Sequence, residues 1–126
     1  MMNLNELAKD VHNNAKEHGW WDEERSFGDI IALCHSELSE ALEEFRNKRP
    51  NAYTLAFDQN GDTYYKTNVE QWKPDEKPEG IAVELADCII RILDFCGKEE
   101  IDIENMIKLK HEYNKTRPYR HGGKAM

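Results

Sequence analysis

The sequence has no long hydrophobic run and few of the features that mark secreted or membrane proteins. Its longest uninterrupted apolar stretch is five residues, Ile30 to Cys34, whereas a helix that spans a membrane needs about 20. The first residues show no basic start followed by an apolar stretch, so we expect no signal peptide. The three cysteines include no C-x-x-C pair, which favours a reduced, cytoplasmic protein. We therefore expect a cytoplasmic chain with no membrane partner.

Positive charge is also scarce. Seventeen Lys and Arg residues against 25 Asp and Glu residues give a net charge of −8 over 126 residues, which argues against nucleic acid as a partner. The segment 108–124 is the exception, since its charged residues are basic apart from Glu112. An acidic body with a basic tail suggests a cation site and an anion site, although a solvated basic terminus would give the same pattern.

Helical periodicity predicts four helices within a single domain, 1–126. We expect them from about Leu4 to His18, from Ser26 as N-cap to near Lys48, from about Glu79 to Cys96, and from Asp102 to near Arg117. Gly97 is expected to stop the third helix. The third helix is apolar over most of its circumference, which predicts burial on nearly all sides. The residues of the fourth helix expected to point inward are Ile103, Met106, Ile107 and Tyr113.

Residues 47–79 have a different pattern. Two β-prone runs flank the pair Asn60-Gly61, which is typical of a hairpin turn. We interpret the segment as a β-hairpin insert, near 53–67, between two helices and not as a separate domain. The expected fold class is therefore all-α, a bundle of four to five helices with a β-hairpin insert.

Two pairs of carboxylates stand out on the predicted helices. Glu37 and Glu40 are three residues apart on the second helix, and so are Glu84 and Asp87 on the third, so each pair shares a helix face. Glu37 falls inside an apolar stripe, and the other pair lies in the only polar stripe of the third helix. Four acids at close range cannot all stay ionised without compensation, and oxygen ligands favour Mg²⁺, with Mn²⁺ as the alternative. We predict a magnesium site here, although Arg91 could instead neutralise one acid in an ordinary buried ion pair.

Other site motifs are missing from the sequence. There is no E-x-x-H on these helices, so a ferritin-like di-iron centre would lack its histidines. There is also no P-loop, no H-E-x-x-H and no G-x-S-x-G. The three cysteines, Cys34, Cys88 and Cys96, lie on apolar helix faces, where we expect them to pack in the core.

The acidic motifs resemble those of a known family. Residues 36–41, Ser-Glu-Leu-Ser-Glu-Ala, and 84–87, Glu-Leu-Ala-Asp, are similar to the E-x-x-E and E-x-x-D signature of the MazG-like, all-α nucleoside triphosphate pyrophosphohydrolases. The resemblance continues in 113–118, Tyr-Asn-Lys-Thr-Arg-Pro, and covers nearly the whole chain apart from 47–79. It implies the all-α pyrophosphatase fold, assembly as a homodimer or homotetramer, and Mg²⁺-dependent hydrolysis of a nucleoside triphosphate to the monophosphate and pyrophosphate, a reaction of nucleotide-pool sanitation.

The resemblance also implies roles for individual residues. The catalytic and metal-binding acids would be Glu37, Glu40, Glu84 and Asp87. The substrate-binding residues would be His12 and Trp21 at the base, with Arg91, Lys110, Asn114 and Arg117 at the phosphates or sugar. His12 could instead be a surface histidine, and Trp21 could serve in packing. The gap between the acidic motifs is longer than in many members and some members have an acid in place of Ser36, which leaves open the number of metal ions and the identity of the general base.

Two other functions stay open at this point. One is a non-catalytic helical oligomer that senses nucleotides or binds a partner through its hairpin. The other is phosphoribosyl-ATP pyrophosphatase activity, since proteins with that activity share the acidic helices. A panel of substrates separates these functions.

Overall fold

The computed structural model describes residues 3–119 of the chain. Over this range the protein is mostly helical, with four α-helices and one two-stranded antiparallel sheet, which confirms the predicted helical class with a β-hairpin. The elements are α1 (Leu4–Glu17), α2 (Phe27–Arg46), β1 (Thr54–Phe57), β2 (Thr63–Lys66), a short 3₁₀ helix (Val69–Gln71), α3 (Ile81–Lys98) and α4 (Ile103–Lys115). None of the described helices is both long and apolar enough to cross a membrane. The basic segment 108–124 is described only as far as residue 119.

Polar caps begin three of the helices where the sequence predicted. The side chain of Asn3 accepts a hydrogen bond from the backbone N–H of Glu6 at the start of α1. Ser26 and Asp29 form a complete capping box at the start of α2. Asp102 accepts from the backbone N–H three residues further on at the start of α4. These side chains accept hydrogen bonds from backbone N–H groups that have no partner inside the helix. The first residues of α1, α2 and α4 can therefore be predicted from the sequence.

The chain divides into two compact units, which we describe separately. Within the described residues, unit 1 comprises 3–22 and 93–119, and unit 2 comprises 23–92. Unit 1 contains α1, the end of α3 and α4, and its core cluster is Ala8, Leu93 and Cys96, with Ile103 packed against it. Unit 2 contains α2, the hairpin and most of α3. The predicted single domain stays a prediction.

Gly97 does not stop α3, so that prediction is wrong. The helix continues through Gly97 to Lys98, and the chain turns at Glu100, whose φ is 56°. A Cβ at position 97 would overlap the carbonyl oxygen of Ala8 and lie 2.8 Å from Cβ of His12. Glycine is therefore needed at 97 because α1 approaches the end of α3 too closely for any larger residue.

In unit 2 the base of the hairpin is hydrogen-bonded to the segment just before α3. Tyr53 and Glu79 exchange two backbone hydrogen bonds, of 2.9 and 2.8 Å. The connection 58–62 is closed by the Asp58 side chain, which accepts from the backbone N–H groups of Asn60 and Asp62. The Asn-Gly pair thus marks the hairpin correctly, and the hairpin returns the chain to α3 beside the point where it left α2.

Two helices expose more apolar surface than the sequence predicted. The expectation that α3 is buried on nearly all sides is wrong for the single chain, because it exposes Leu85, Ile89, Ile90 and Ile92. On α4 only Ile103 packs against a core cluster, and the other three residues expected inward are exposed, namely Met106, Ile107 and Tyr113. One chain of this size has too few elements to cover every apolar face of its helices. The three cysteines are buried, as predicted.

Candidate functional site

The structure brings together three of the four predicted acids in unit 2. One carboxylate oxygen from each of Glu37, Glu84 and Asp87 lies within 4.8 Å of the other two. We call these three residues the acidic cluster. Glu37, on α2, is only 7% exposed, and the two acids on α3 are half-buried. The i, i+3 spacing places the α3 acids on one face, which α2 meets through Glu37.

Glu40 lies beside the acidic cluster. Its side chain is exposed, and its oxygens are not among those that meet the 4.8 Å limit. It is nevertheless close enough to form hydrogen bonds that change the pKa of both Glu37 and Glu84. The fourth predicted acid therefore stands at the solvent side of the cluster.

Glu84 has the most unfavourable environment of the three cluster acids. Burial raises its pKa to about 7, and a hydrogen bond to Glu40 together with repulsion from Glu40, Asp87 and Glu37 adds to the effect. Its Oε2 atom is buried and has no hydrogen-bond partner among the described residues. A buried carboxylate oxygen without a donor is costly. A cation bound at the acidic cluster would compensate this atom.

Arg91 compensates part of the negative charge. Its Nε donates a hydrogen bond of 2.8 Å to Oε1 of Glu37. Burial alone would raise the pKa of Glu37, but the hydrogen bonds from Arg91 and Glu40 outweigh burial and the pKa is lowered. For Asp87, burial and repulsion from Glu37 outweigh the attraction of Arg91, so that its pKa is raised. One guanidinium among four carboxylates leaves the site negative.

The donor set fits a hard divalent cation. All the donors are carboxylate oxygens, the ligands that Mg²⁺ and Mn²⁺ prefer. Ligands of one Mg²⁺ at about 2.1 Å lie at most roughly 4.2 Å apart, so small side-chain movements suffice to close the cluster around an ion. The ion pair with Arg91 engages one of the two oxygens of Glu37, Oε1.

A second group of predicted residues meets in unit 1. His12 on α1 and Trp21, in the turn after it, both contact Asp94 near the end of α3. The His12 side chain is 13% exposed, so it is not a plain surface histidine. Lys98 places its Nζ 5.2 Å from the centre of the Trp21 ring, within the range of a cation–π contact.

Sequence reasoning assigned no function to Asp94. The residue is the last member of the polar stripe on α3 that begins with Glu84, Asp87 and Arg91, and this position was the signal that could have identified it. Its partners come from α1 and the following turn. Only the folded chain shows that it joins two predicted substrate-binding residues.

The remaining predicted residues lie on or after α4. Lys110 and Asn114 are one helical turn apart, and both are exposed. Lys110 Nζ lies 4.8 Å from the centre of the Tyr113 ring. Arg117 follows the helix and is half-buried. Their predicted contacts with phosphates or sugar stay predictions.

Comparison with known proteins adds no assignment. No family model matches the chain, and neither a curated protein nor a solved structure matches it. The resemblance to the MazG-like enzymes therefore depends on residues 36–41, 84–87 and 113–118, and what it implies about function is a proposal.

Proposed function

We propose that this chain is a Mg²⁺-dependent nucleoside triphosphate pyrophosphohydrolase of the MazG-like, all-α bundle type. It would cleave a ribo- or deoxyribonucleoside triphosphate between the α- and β-phosphates, giving the monophosphate and pyrophosphate. The observation that carries the proposal is the acidic cluster, whose oxygens lie within 4.8 Å of one another in the order along the chain that the motif requires. The buried and unpartnered Oε2 of Glu84 supports it.

The residues of unit 2 have separate tasks in this proposal. Glu37, Glu84 and Asp87 would hold the cation. A bound Mg²⁺ would clamp phosphate oxygens, offset the charge that develops in the transition state and make water a better nucleophile. Glu40, exposed at the edge of the cluster, would either complete the ligand set or accept the proton of the attacking water.

The electrostatics of the cluster agree with a metal role. Arg91 keeps Glu37 ionised, because its hydrogen bond lowers the pKa of that carboxyl group. Glu84 has a pKa of about 7, so a cation that binds there at neutral pH displaces protons from part of the population. Glu37 thus offers a charged ligand over a wide pH range, and Glu84 makes metal affinity depend on pH.

Self-association belongs to the same proposal. Exposed apolar residues recur along α2 at Phe27, Ile31, Leu38, Leu42 and Phe45, and along α3 at Leu85, Ile89 and Ile92. In each helix these residues are three, four or seven positions apart, the spacing of one helix face, and α3 exposes Ile90 as well. Apolar faces of this extent on a small chain favour burial against a second copy of the chain, in a homodimer or homotetramer.

The hairpin favours a second candidate function, partner binding without turnover. Its two strands expose large apolar or aromatic side chains, namely Leu55, Phe57, Tyr64 and Tyr65. Such a surface suits a protein partner. In that case a nucleotide would stabilise the chain without being hydrolysed.

A substrate panel tests the proposed function. The full chain is incubated with Mg²⁺ and each of the common nucleoside triphosphates and phosphoribosyl-ATP, and the products are identified by ³¹P NMR. We expect pyrophosphate as the first phosphorus product and at least a 100-fold loss of rate in Glu84→Gln and Asp87→Asn. Glu43→Gln, an exposed acid on α2, is the matched control and should keep full activity. Orthophosphate as the first product, or full activity in a folded Asp87→Asn protein, would contradict the proposal.

A further inference from the structure

Asp94 is buried in unit 1, and none of the steps proposed above uses it. It is 7% exposed. Its Oδ1 and Oδ2 accept from Nε1 of Trp21 at 3.0 and 3.2 Å, and Oδ1 lies 2.8 Å from Nδ1 of His12. A buried carboxylate is tolerated when such donors satisfy it. Its position is therefore defined by two residues that the resemblance places at a nucleobase.

The Asp94 contact determines what His12 can offer to a ligand. An ionised carboxylate can only accept hydrogen bonds, so Nδ1 of His12 carries the hydrogen in this pair. In the neutral imidazole the other ring nitrogen, Nε2, then has a lone pair and acts as an acceptor. Nε2 has no hydrogen-bond partner among the described residues.

Asp94 also determines what Trp21 can offer. The indole has one N–H group and no acceptor, and that group is directed at Asp94. The His12 and Trp21 rings meet edge to face, with their centres 5.7 Å apart. Of the two rings, only His12 keeps a nitrogen that Asp94 does not engage, its acceptor Nε2.

His12 is also accessible to a small molecule. It lines a cavity of ≈ 650 Å³ in unit 1, between α1 and the end of α3. Ligand pockets in proteins commonly have volumes of this size. A ligand in this cavity would therefore lie beside the side chain of His12.

We propose that Asp94 is a positioning residue: it holds His12 as a hydrogen-bond acceptor and turns the Trp21 N–H inward, so that the pair selects a base edge carrying an N–H donor. The selection rests on the proposed function and on the resemblance, which places His12 and Trp21 at the base. A base edge with only acceptors would place one lone pair against another, and the bond to Nε2 would be lost.

The first experiment measures the tautomer and does not depend on turnover. Two-bond ¹H–¹⁵N spectra of the full chain are recorded at a pH at which His12 is neutral. The spectrum of His12→Gln identifies which signals belong to His12. We expect hydrogen on Nδ1 in the native protein and loss of that preference in Asp94→Ala, while the exposed Asp10→Asn control leaves the spectrum unchanged. Asp94→Asn keeps the shape and a weaker acceptor, so it serves if Asp94→Ala does not fold. Hydrogen on Nε2 in the native protein, or a tautomer that both Asp94 variants leave unchanged, would overturn the positioning role.

The second experiment measures selection. Kinetics are compared for the preferred nucleotide and for an analogue whose base lacks N–H donors. We expect the native protein to prefer the first by about tenfold or more in kcat/KM, and Asp94→Ala to reduce the preference mainly through KM. Equal kinetics for the two nucleotides in the native protein would overturn the selection. If no nucleotide is hydrolysed, the proposed function fails. The selection is then tested separately, by calorimetric dissociation constants for the same nucleotide and analogue.

Discussion

Arg91 on α3 donates a hydrogen bond of 2.8 Å from Nε to Oε1 of Glu37 on α2. The bond favours the ionised carboxylate, and the pKa of Glu37 is lowered although burial acts in the opposite direction. Glu84, in the same cluster, has its pKa raised to about 7. The acidic cluster thus contains one acid that the protein keeps charged and one whose charge it leaves uncompensated.

Removal of Arg91 should destabilise the fold through Glu37. In Arg91→Met the buried carboxylate loses its cation, and we expect a loss of about 1–3 kcal/mol in the free energy of unfolding, measured by urea denaturation. The double variant Arg91→Met/Glu37→Met should recover most of this loss, because the buried carboxylate of Glu37 is removed together with its partner. A double variant as unstable as the sum of the two single variants would contradict this account.

Replacement of Glu84 should stabilise the metal-free protein at alkaline pH. The folded pKa of about 7 lies above the ordinary value of 4.5, so the contribution of Glu84 to stability is complete below pH 4.5 and is lost as the pH rises through 7. Glu84→Gln does not ionise at this position. Its free energy of unfolding relative to that of the native chain should therefore increase by about 1–3 kcal/mol from pH 5 to pH 8. Urea denaturation at pH 5 and at pH 8, in the presence of a metal chelator, measures this increase. Glu43→Gln is the control. A gain of the same size at both pH values would contradict the assignment.

Magnesium should bind more tightly as the pH rises through 7. Below this value the cation must displace the proton of Glu84, which costs about tenfold in apparent affinity per pH unit. Calorimetry at pH 6 in two buffers of different ionisation enthalpy should show the release of about one proton per ion. An affinity for Mg²⁺ that is equal at pH 6 and pH 8 would show that Glu84 is not a ligand.

The sequence predicted features that depend on neighbours along the chain. Ser26 and Asp29 form their capping box within one turn, and Asn60-Gly61 lies inside a hairpin connection. The carboxylates of Glu84 and Asp87 share a face because helix geometry requires it. Each of these patterns is complete within a few residues, so local stereochemistry is sufficient to identify it.

Features that depend on distant elements could not be predicted. A glycine after an apolar helix looks like a C-terminal cap, and only the approach of Ala8 shows why position 97 is glycine. Asp94 looks like another polar residue of α3 until His12 and Trp21 are placed beside it. Such contacts depend on how helices pack, which hydrophobic periodicity does not specify.

Alanine at position 97 should destabilise the chain. Its Cβ would overlap the carbonyl oxygen of Ala8, so α1 must shift, and we expect a loss of about 1–3 kcal/mol in the free energy of unfolding. Gly28→Ala is the matched control, because a Cβ there has only an ordinary contact, 3.8 Å from Oγ of Ser26. That control should be neutral or stabilising by up to about 1 kcal/mol. Chemical denaturation compares the two variants, and equal stability would show that α1 does not constrain position 97.

The apolar faces of α2 and α3 should form the contact between copies. Leu42 and Ile89 are exposed in the single chain, at 47% and 54%, and burial of a leucine or isoleucine side chain stabilises an interface by about 1.5–3 kcal/mol. We expect sedimentation velocity to show a dimer or tetramer for the native chain, and a shift towards the monomer in Leu42→Gln and Ile89→Gln. Ser39→Gln, at an exposed polar position of α2, adds the same side chain and should leave the assembly intact. If the native chain sediments as a monomer at micromolar concentrations, the apolar faces of α2 and α3 do not bind a second copy. The exposed strands of the hairpin would then be the first surface to test for a protein partner.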